Sequence, residues 1–229
     1  PRRIKGLKTD ENGAGLGGAV IGLFKSDETE FTAENALATA TSAEDGSFSF
    51  AGVPYGNWVL KELESPEGFI LSNEVIPVTV EEDGQVVEIS LANERIYGDL
   101  RLTKVDKDYP DHHLSGAVFE VYRDGKLVGQ MEELSDGVYK LDDLPYGDYT
   151  LKETKAPKGF VLDEKTYSFS IKENGKTVIV ETEAGKGFVN QAQTGGIRIE
   201  KTSDDGVLKA LPSAWRARIS PAMPSARTL

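Results

Sequence analysis

Seven side chains sit where alternation along a short strand calls for an apolar residue: Lys8, Lys104 and Lys201, Glu62 and Glu153, Asn93 and Asn190. Leu100, Leu102 and Lys104 share one face of a run, and Ile197, Ile199 and Lys201 share another. In Ile4, Gly6 and Lys8 the same parity selects Lys8 over Lys5, because the position matching Lys5 is Arg101. Trp58, Leu60 and Glu62 end in a carboxylate, as do Tyr149, Leu151 and Glu153, while Ile89, Leu91 and Asn93, then Phe188 and Asn190, end in an amide. Burial disfavours charged forms, so a buried amine tends to be neutral and a buried carboxyl protonated. A neutral amine is a nucleophile, and a carboxylic acid bonded to an amide can polarise its carbonyl and relay protons. If one of each converges, Lys Nζ attacks the Asn side-chain carbon, ammonia leaves, and an amide bond joins two strands. A folded core that holds both reactants and excludes water supplies much of the rate.

The spacing is regular. Lys8 to Asn93 is 85 residues (93 − 8) and Lys104 to Asn190 is 86 (190 − 104), and each Asn precedes the next Lys by 11 (104 − 93; 201 − 190). For Glu153 alone the ordinary reading is an edge-strand carboxylate facing water. Its repetition at Glu62, with lysine and asparagine stripes to match, favours the inward reading. Lys201 has no closing strand after it and is expected to stay an unpaired amine.

The elements that must position these residues come from a repeat. "GVPYGNWVLKELESPEGFIL" (52–71) matches "DLPYGDYTLKETKAPKGFVL" (143–162) without a gap at an offset of 91 (143 − 52). "GAVIGLF" (18–24) answers "GAVFEVY" (116–122), and "LKTDENG" (7–13) answers "TKVDKDY" (103–109), with a third opening, "EKTSDDG", at 200–206. Short apolar alternations, such as Phe48 and Phe50, Val78 and Val80, Val86 and Ile89, or Tyr167, Phe169 and Ile171, are separated by "EDGS", "SDGV", "EEDGQ" and "KENGK" turns. No segment sustains a helical period; "ETEFTAENALATATSAEDG" (28–46) comes nearest and is expected to be a loop or short helix inserted in the first unit. About seven short strands per unit predict an all-β chain of tandem β-sandwiches. The expected units are 1–95, 96–192 and a truncated third start at 193–229, joined by "ERIYG" (94–98) and "QAQTG" (191–195).

Composition narrows the function. At 229 residues the chain suffices for about two domains, and a hydrophobic fraction of 38% argues for folded ones. A net charge of −12 without a Lys/Arg cluster argues against nucleic acid and an anionic membrane surface as partners. Cysteine is absent, which excludes disulfides and thiolate metal sites. His112 and His113 sit in a "YPDHH" turn with too few ligands for a metal, and the "DENG", "DKDYPD" and "SDDG" loops lack the calcium-loop pattern. No GxSxG or GxGxxG motif offers a route to turnover of an outside substrate, so neither an enzyme nor a cofactor is expected. The chain opens on Pro1 with neither leader nor anchor, and is expected to be a fragment of a longer protein. The tail 212–229 has three Arg (216, 218, 227) and no acid, and is expected to be disordered.

The "KxD" openings at Lys8 and Lys104, "LSGAVF" (114–119), "LPYGDYTLKETKAPKGF" around Glu153 and the "VN" ending at Asn190 resemble the CnaB-type domains of Gram-positive surface proteins and pilins, the collagen-adhesin B-repeat or SpaA-like family. The resemblance covers residues 1 to 192 as two units and 196 to 211 as the start of another. It implies transthyretin-like or inverse immunoglobulin-like sandwiches, each with a spontaneous Lys–Asn isopeptide bond promoted by the glutamate: Lys8 to Asn93 with Glu62, and Lys104 to Asn190 with Glu153. Unit one departs from the family pattern in "KELESPEGF", in Gly6 where a large apolar residue is usual, and in "LANE".

The function implied is a stalk or shaft segment of an adhesin or pilin, extracellular and wall-anchored. Its partners would be neighbouring domains of the same protein, other pilin subunits or host extracellular matrix. An alternative is a ligand-binding adhesin module for matrix protein or glycan, which would show an exposed aromatic or apolar patch in its loops, and 26–46 is the only candidate for one. A carbohydrate-binding accessory module would want exposed tryptophans, yet Trp58 lies on a core stripe and Trp215 in the tail.

Overall fold

The computed structural model describes residues 1–197 and the antiparallel pair Thr202–Ser203 and Gly206–Val207. Lys201 and the tail 212–229 lie outside the described residues. Among the described residues there is no helix, and the chain divides into two compact units built mainly on Pro1–Asp99 and on Leu100–Asp142, Asp148–Phe169 and the residues from Thr177.

The first unit runs β1 (Arg3–Asp10), β2 (Val20–Lys25), β3 (Ala38–Thr41), β4 (Ser47–Ala51), β5 (Gly56–Glu64), β6 (Val75–Val80) and β7 (Val86–Asn93). Two sheets form, in the orders β4-β1-β7 and β3-β2-β5-β6. β4, "SFSFA", alternates without fault, Phe48 and Phe50 inward and the serines out, because the pleat turns successive side chains to opposite faces. Ile4, Ile21, Leu23, Phe50, Trp58, Leu60, Val78, Val80 and Leu91 fill the space between the sheets. Each such side chain contributes about 1.5–3 kcal/mol on leaving water. Gly6 opposes Phe48 in the β1/β4 register, and a Cβ there would fall 1.9 Å from the phenyl ring. The missing apolar side chain of β1 is therefore supplied by β4.

The second unit runs β8 (Tyr97–Asp106), β9 (Val118–Arg123), β10 (Lys126–Gln130), β11 (Glu132–Ser135), β12 (Val138–Pro145), β13 (Gly147–Lys155), β14 (Thr166–Ile171), β15 (Thr177–Ile179) and β16 (Phe188–Asn190). Its sheets are β10-β9-β13-β14 and β11-β12-β8-β15, with β16 also paired to β8. An aromatic group dominates this core: Phe119 meets Tyr139 and Phe188 edge-on at centroid distances of 5.1 and 5.0 Å.

Two expectations need correction. Residues 28–46 contain neither a helix nor only a loop: after a turn at 33–35 the chain forms β3, which pairs antiparallel with β2. The β-branched Thr39 and Thr41 favour a strand, and the free edge of β2 supplies the partner. On β7 the inward set is Val87, Ile89, Leu91 and Asn93, while Val86 is 48% exposed; Val86 and Ile89 differ in parity and cannot share a face.

Candidate functional site

The lysines are placed by their backbones. In each unit the opening strand lies beside the closing one and runs parallel to it, with Lys8 level with Leu91 and Asp10 with Asn93, and Lys104 level with Phe188 and Asp106 with Asn190. Lysine and asparagine are thus two positions apart on adjacent strands and face the same interior. Lys8 N donates to Gly46 O at 2.7 Å and its carbonyl accepts from Leu16 N at 2.9 Å; Lys104 repeats this with Gly137 O at 2.7 Å and Leu114 N at 2.8 Å. Both glycines have positive φ, +84° and +75°, and a Cβ would come 2.1 Å from Lys8 O or 3.0 Å from Lys104 O. A side chain at Gly46 would have to move the lysine, and one at Gly137 would press Leu114 N at 2.8 Å as well as the lysine carbonyl.

Two residues beyond each lysine, a buried aspartate shapes the turn that follows. Asp10 accepts from Asn12 N at 2.8 Å, Ala14 N at 2.9 Å and Arg95 at 2.8 Å, and Asp106 accepts from Asp108 N at 2.9 Å. The backbone N–H of Ala14, then that of Asn12 and the Arg95 guanidinium, hold the Asp10 carboxyl below the usual carboxylate range.

The glutamates come from the opposite sheet. Glu62 on β5 pairs with Ile21 and Glu153 on β13 with Phe119, and immediately after each the register slips, at Val20/Ile21 against β5 and between Glu153 and Lys155 on β13. Each glutamate therefore keeps the parity of Leu60 or Leu151 and faces the other sheet, and the bulge turns the strand just after it. Ten residues on, a main-chain N–H fixes the carboxyl: Ser72 N donates to Glu62 Oε2 and Asp163 N to Glu153 Oε2, both at 2.8 Å.

In the first unit the structure brings Lys8, Glu62 and Asn93 together. Lys8 Nζ donates to Asn93 Oδ1 and lies 3.2 Å from Glu62 Oε1, and Asn93 Nδ2 donates to both Glu62 oxygens at 3.0 Å. In the second, Asn190 Nδ2 donates to Glu153 Oε2 at 3.0 Å and to Val161 O at 2.8 Å, and Lys104 Nζ lies 3.6 Å from Glu153 Oε1. All six side chains are buried, none more than 3% exposed. Burial lowers the Lys8 amine below its ordinary value against the opposing pull of Glu62, and lowers Lys104 to about 8 against that of Glu153.

A family model of the SpaA prealbumin-like fold domain matches residues 2–95 and again 98–186. The chain belongs to that family. Among solved structures, this pair of SpaA domains resembles the Bacillus anthracis TIE protein at 31% identity and a TM-score of 0.69, over 84% of this chain and 34% of that one. It also resembles a Streptococcal ancillary pilin (23% identity, TM-score 0.41, 84% of this chain and 62% of that one). A C-terminal fragment of the pilus adhesin SpaC from Lactobacillus rhamnosus GG matches at 16% identity and a TM-score of 0.50, over 83% and 95%. The SpaA pair spans about a third of the length of the first of these and less than two thirds of the second. No curated protein matches.

Both SpaA domains set an amine of lowered basicity and a buried carboxyl around a carboxamide, a donor set suited to acyl transfer. Among the described residues, no three of His, Asp and Glu gather where they could hold a metal ion, and no helix is long and apolar enough to cross a membrane. His112 and His113 are exposed in the turn after Asp108, with His113 Nδ1 3.1 Å from Asp136 O. Sequence reasoning missed the N–H groups of Ser72 and Asp163, the carbonyl of Val161, and the two lysine-pinning glycines. The N–H donors carried a signal: Ser72 and Asp163 hold the same offset of 91 (163 − 72) as the repeat, one position past the matched stretch. A carbonyl or an N–H has no residue type, so composition could not point to it.

Proposed function

We propose that the chain is a structural stalk or shaft segment of a Gram-positive surface adhesin or pilin, each of its two SpaA domains cross-linked by an autocatalytic Lys–Asn isopeptide bond. The observation that carries the reading is the buried lysine, glutamate and asparagine occurring twice on matching strands. In the reaction the neutral Nζ of Lys8 or Lys104 attacks Cγ of Asn93 or Asn190. Glu62 or Glu153 passes a proton from the attacking nitrogen to the departing Nδ2, the Cγ–Nδ2 bond breaks, and ammonia leaves as the Nζ–Cγ amide forms. Each domain reacts once on itself, so the chain is not an enzyme in the sense of turnover.

The mechanical logic follows from the topology. A bond between the first and last strands joins the two through which a tether is pulled, so tension passes across the amide rather than through the hydrogen-bonded ladder. A chain without cysteine gains covalent staples without an oxidant. In this reading the chain lies outside the cell in a wall-anchored protein, with neighbouring domains of that protein, other pilin subunits or host matrix as partners. Intact mass tests the chemistry: the purified chain is expected to be lighter than its sequence by two ammonia molecules, with one restored by Glu62→Ala and the other by Glu153→Ala. A mass equal to the sequence value would refute the cross-links.

A further inference from the structure

The two triads differ in where the amine rests. Lys8 Nζ is on the Asn93 carbonyl. Lys104 Nζ instead donates to the main-chain carbonyl of Phe188 at 3.1 Å and lies 4.8 Å from the centroid of the Phe188 ring. The atoms it must reach are left over: Glu153 Oε1 and Asn190 Oδ1 are buried without a hydrogen-bond partner. The ring is held from two sides, by Phe119 at 5.0 Å and Tyr167 at 5.1 Å, both edge-on. Tyr167 is held in turn by its hydroxyl, which donates to Asp163 Oδ2 at 2.6 Å, and Asp163 is the residue whose N–H fixes Glu153. At the matching positions the first domain has Leu91 for Phe188, Ile21 for Phe119, Ile76 for Tyr167 and Ser72 for Asp163. None of these can hold a cation on a ring.

We infer that Phe188 is a positioning residue that parks the Lys104 amine on its ring and carbonyl, away from Asn190, so that the second domain closes its cross-link after the first. The inference rests on the isopeptide reading above. An ammonium gains from an aromatic face and from a carbonyl acceptor together, and both must be given up before Nζ turns to Asn190 Cγ. Once there it satisfies Asn190 Oδ1 and Glu153 Oε1, the two atoms now without hydrogen-bond partners. The charged groups around the amine are Glu153 on β13 and Asp163 in the segment after it. The phenols on β12 and β14, Tyr139 and Tyr167, are both pushed up, chiefly by burial, Tyr139 to about 12, so neither titrates in the range where the amine does.

The test follows ammonia loss by mass over time in the full chain made by cell-free synthesis, at a series of pH values from about 6 to 9, around the lowered amine. Peptide mapping assigns each loss to a domain. The first domain is expected to lose its ammonia before the second. In Phe188→Leu, which installs the first domain's residue, the second loss is expected to speed up by about 2- to 30-fold, and the pH midpoint of its rate to fall by about 0.5 to 1.5 units, the worth of one cation–π contact. A merely structural role for the ring would change the rate and leave the midpoint in place. Simultaneous or reversed losses in the unmodified chain, or an unmoved midpoint in Phe188→Leu, overturn the inference and leave the cross-links standing. Ammonia loss in neither domain overturns both. The order of losses needs no variant, so it decides the matter even if Phe188→Leu fails to fold.

Discussion

Replacing Lys104 by methionine and Glu153 by glutamine together separates a cross-linked second domain from a plain sandwich by the sign of the stability change. Lys104 is fully buried, and methionine matches its unbranched stem while carrying no charge and no nucleophile. If the domain is a plain sandwich, the double substitution removes both charges of a desolvated amine paired at 3.6 Å with a buried carboxyl, and glutamine keeps an oxygen for Asp163 N. Removing both members of such a pair is neutral or stabilising, by up to about 4 kcal/mol, whereas removing the lysine alone would strand a buried carboxylate at a cost of about 3–5 kcal/mol. If the amine is already an amide to Asn190, the same change opens a loop of 86 residues (190 − 104) in the unfolded chain. The chain-entropy relation for cross-links then gives a loss of about 5 kcal/mol, or roughly 20 to 35 °C in the midpoint of a domain this size. Calorimetry resolves the two domains, with the first as an internal reference, and intact mass reports the chemistry in the same sample. A second-domain midpoint unchanged or raised by Lys104→Met with Glu153→Gln would show that no covalent tie stabilises it and would refute the reasoning.

Two further expectations concern pH and backbone fit. In Asn190→Ala the cross-link cannot form, yet the buried amine keeps the burial, Glu153 and Asp163 that set its basicity, about 8 in the fold against 10.5 unfolded. Between those values the unfolded chain holds the proton and the folded one does not, so the second domain should gain about 3 kcal/mol as pH rises through the window, read by denaturant titration; a flat profile would count against a desolvated lysine. Gly46→Ala puts a Cβ 2.1 Å from Lys8 O at a φ of +84° and is expected to cost roughly 2 to 4 kcal/mol and to lower the fraction of first domains that lose ammonia, seen by calorimetry and mass together. An unaffected domain would mean that the turn does not set the lysine's position.

Much of this was legible without coordinates because strand parity is local. Leu100, Leu102 and Lys104 share a face whatever the sheet, so the inward set could be read from spacing alone. The same rule puts Val86, out of parity with Ile89, on the outer face, and it falls silent at 28–46, where the edge strand β3 exists because β2 offers it a partner. Gly6 read as a defect in the first stripe until Phe48, forty-two residues on (48 − 6), was seen to occupy its space.

The sequence by itself determined that a lysine, a glutamate and an asparagine recur at matched spacing and point inward, since a period of two and an offset of 91 (143 − 52) are properties of the chain order. Only the tertiary structure decided that the first and last strands lie side by side and parallel, and that each glutamate reaches across from the other sheet just before a bulge and is held by an N–H ten residues on. It alone gave the two amines different resting places. Register between distant strands is set by packing and loop closure rather than by neighbours in the chain, and it is at that level that two nearly identical sets of residues become two different sites.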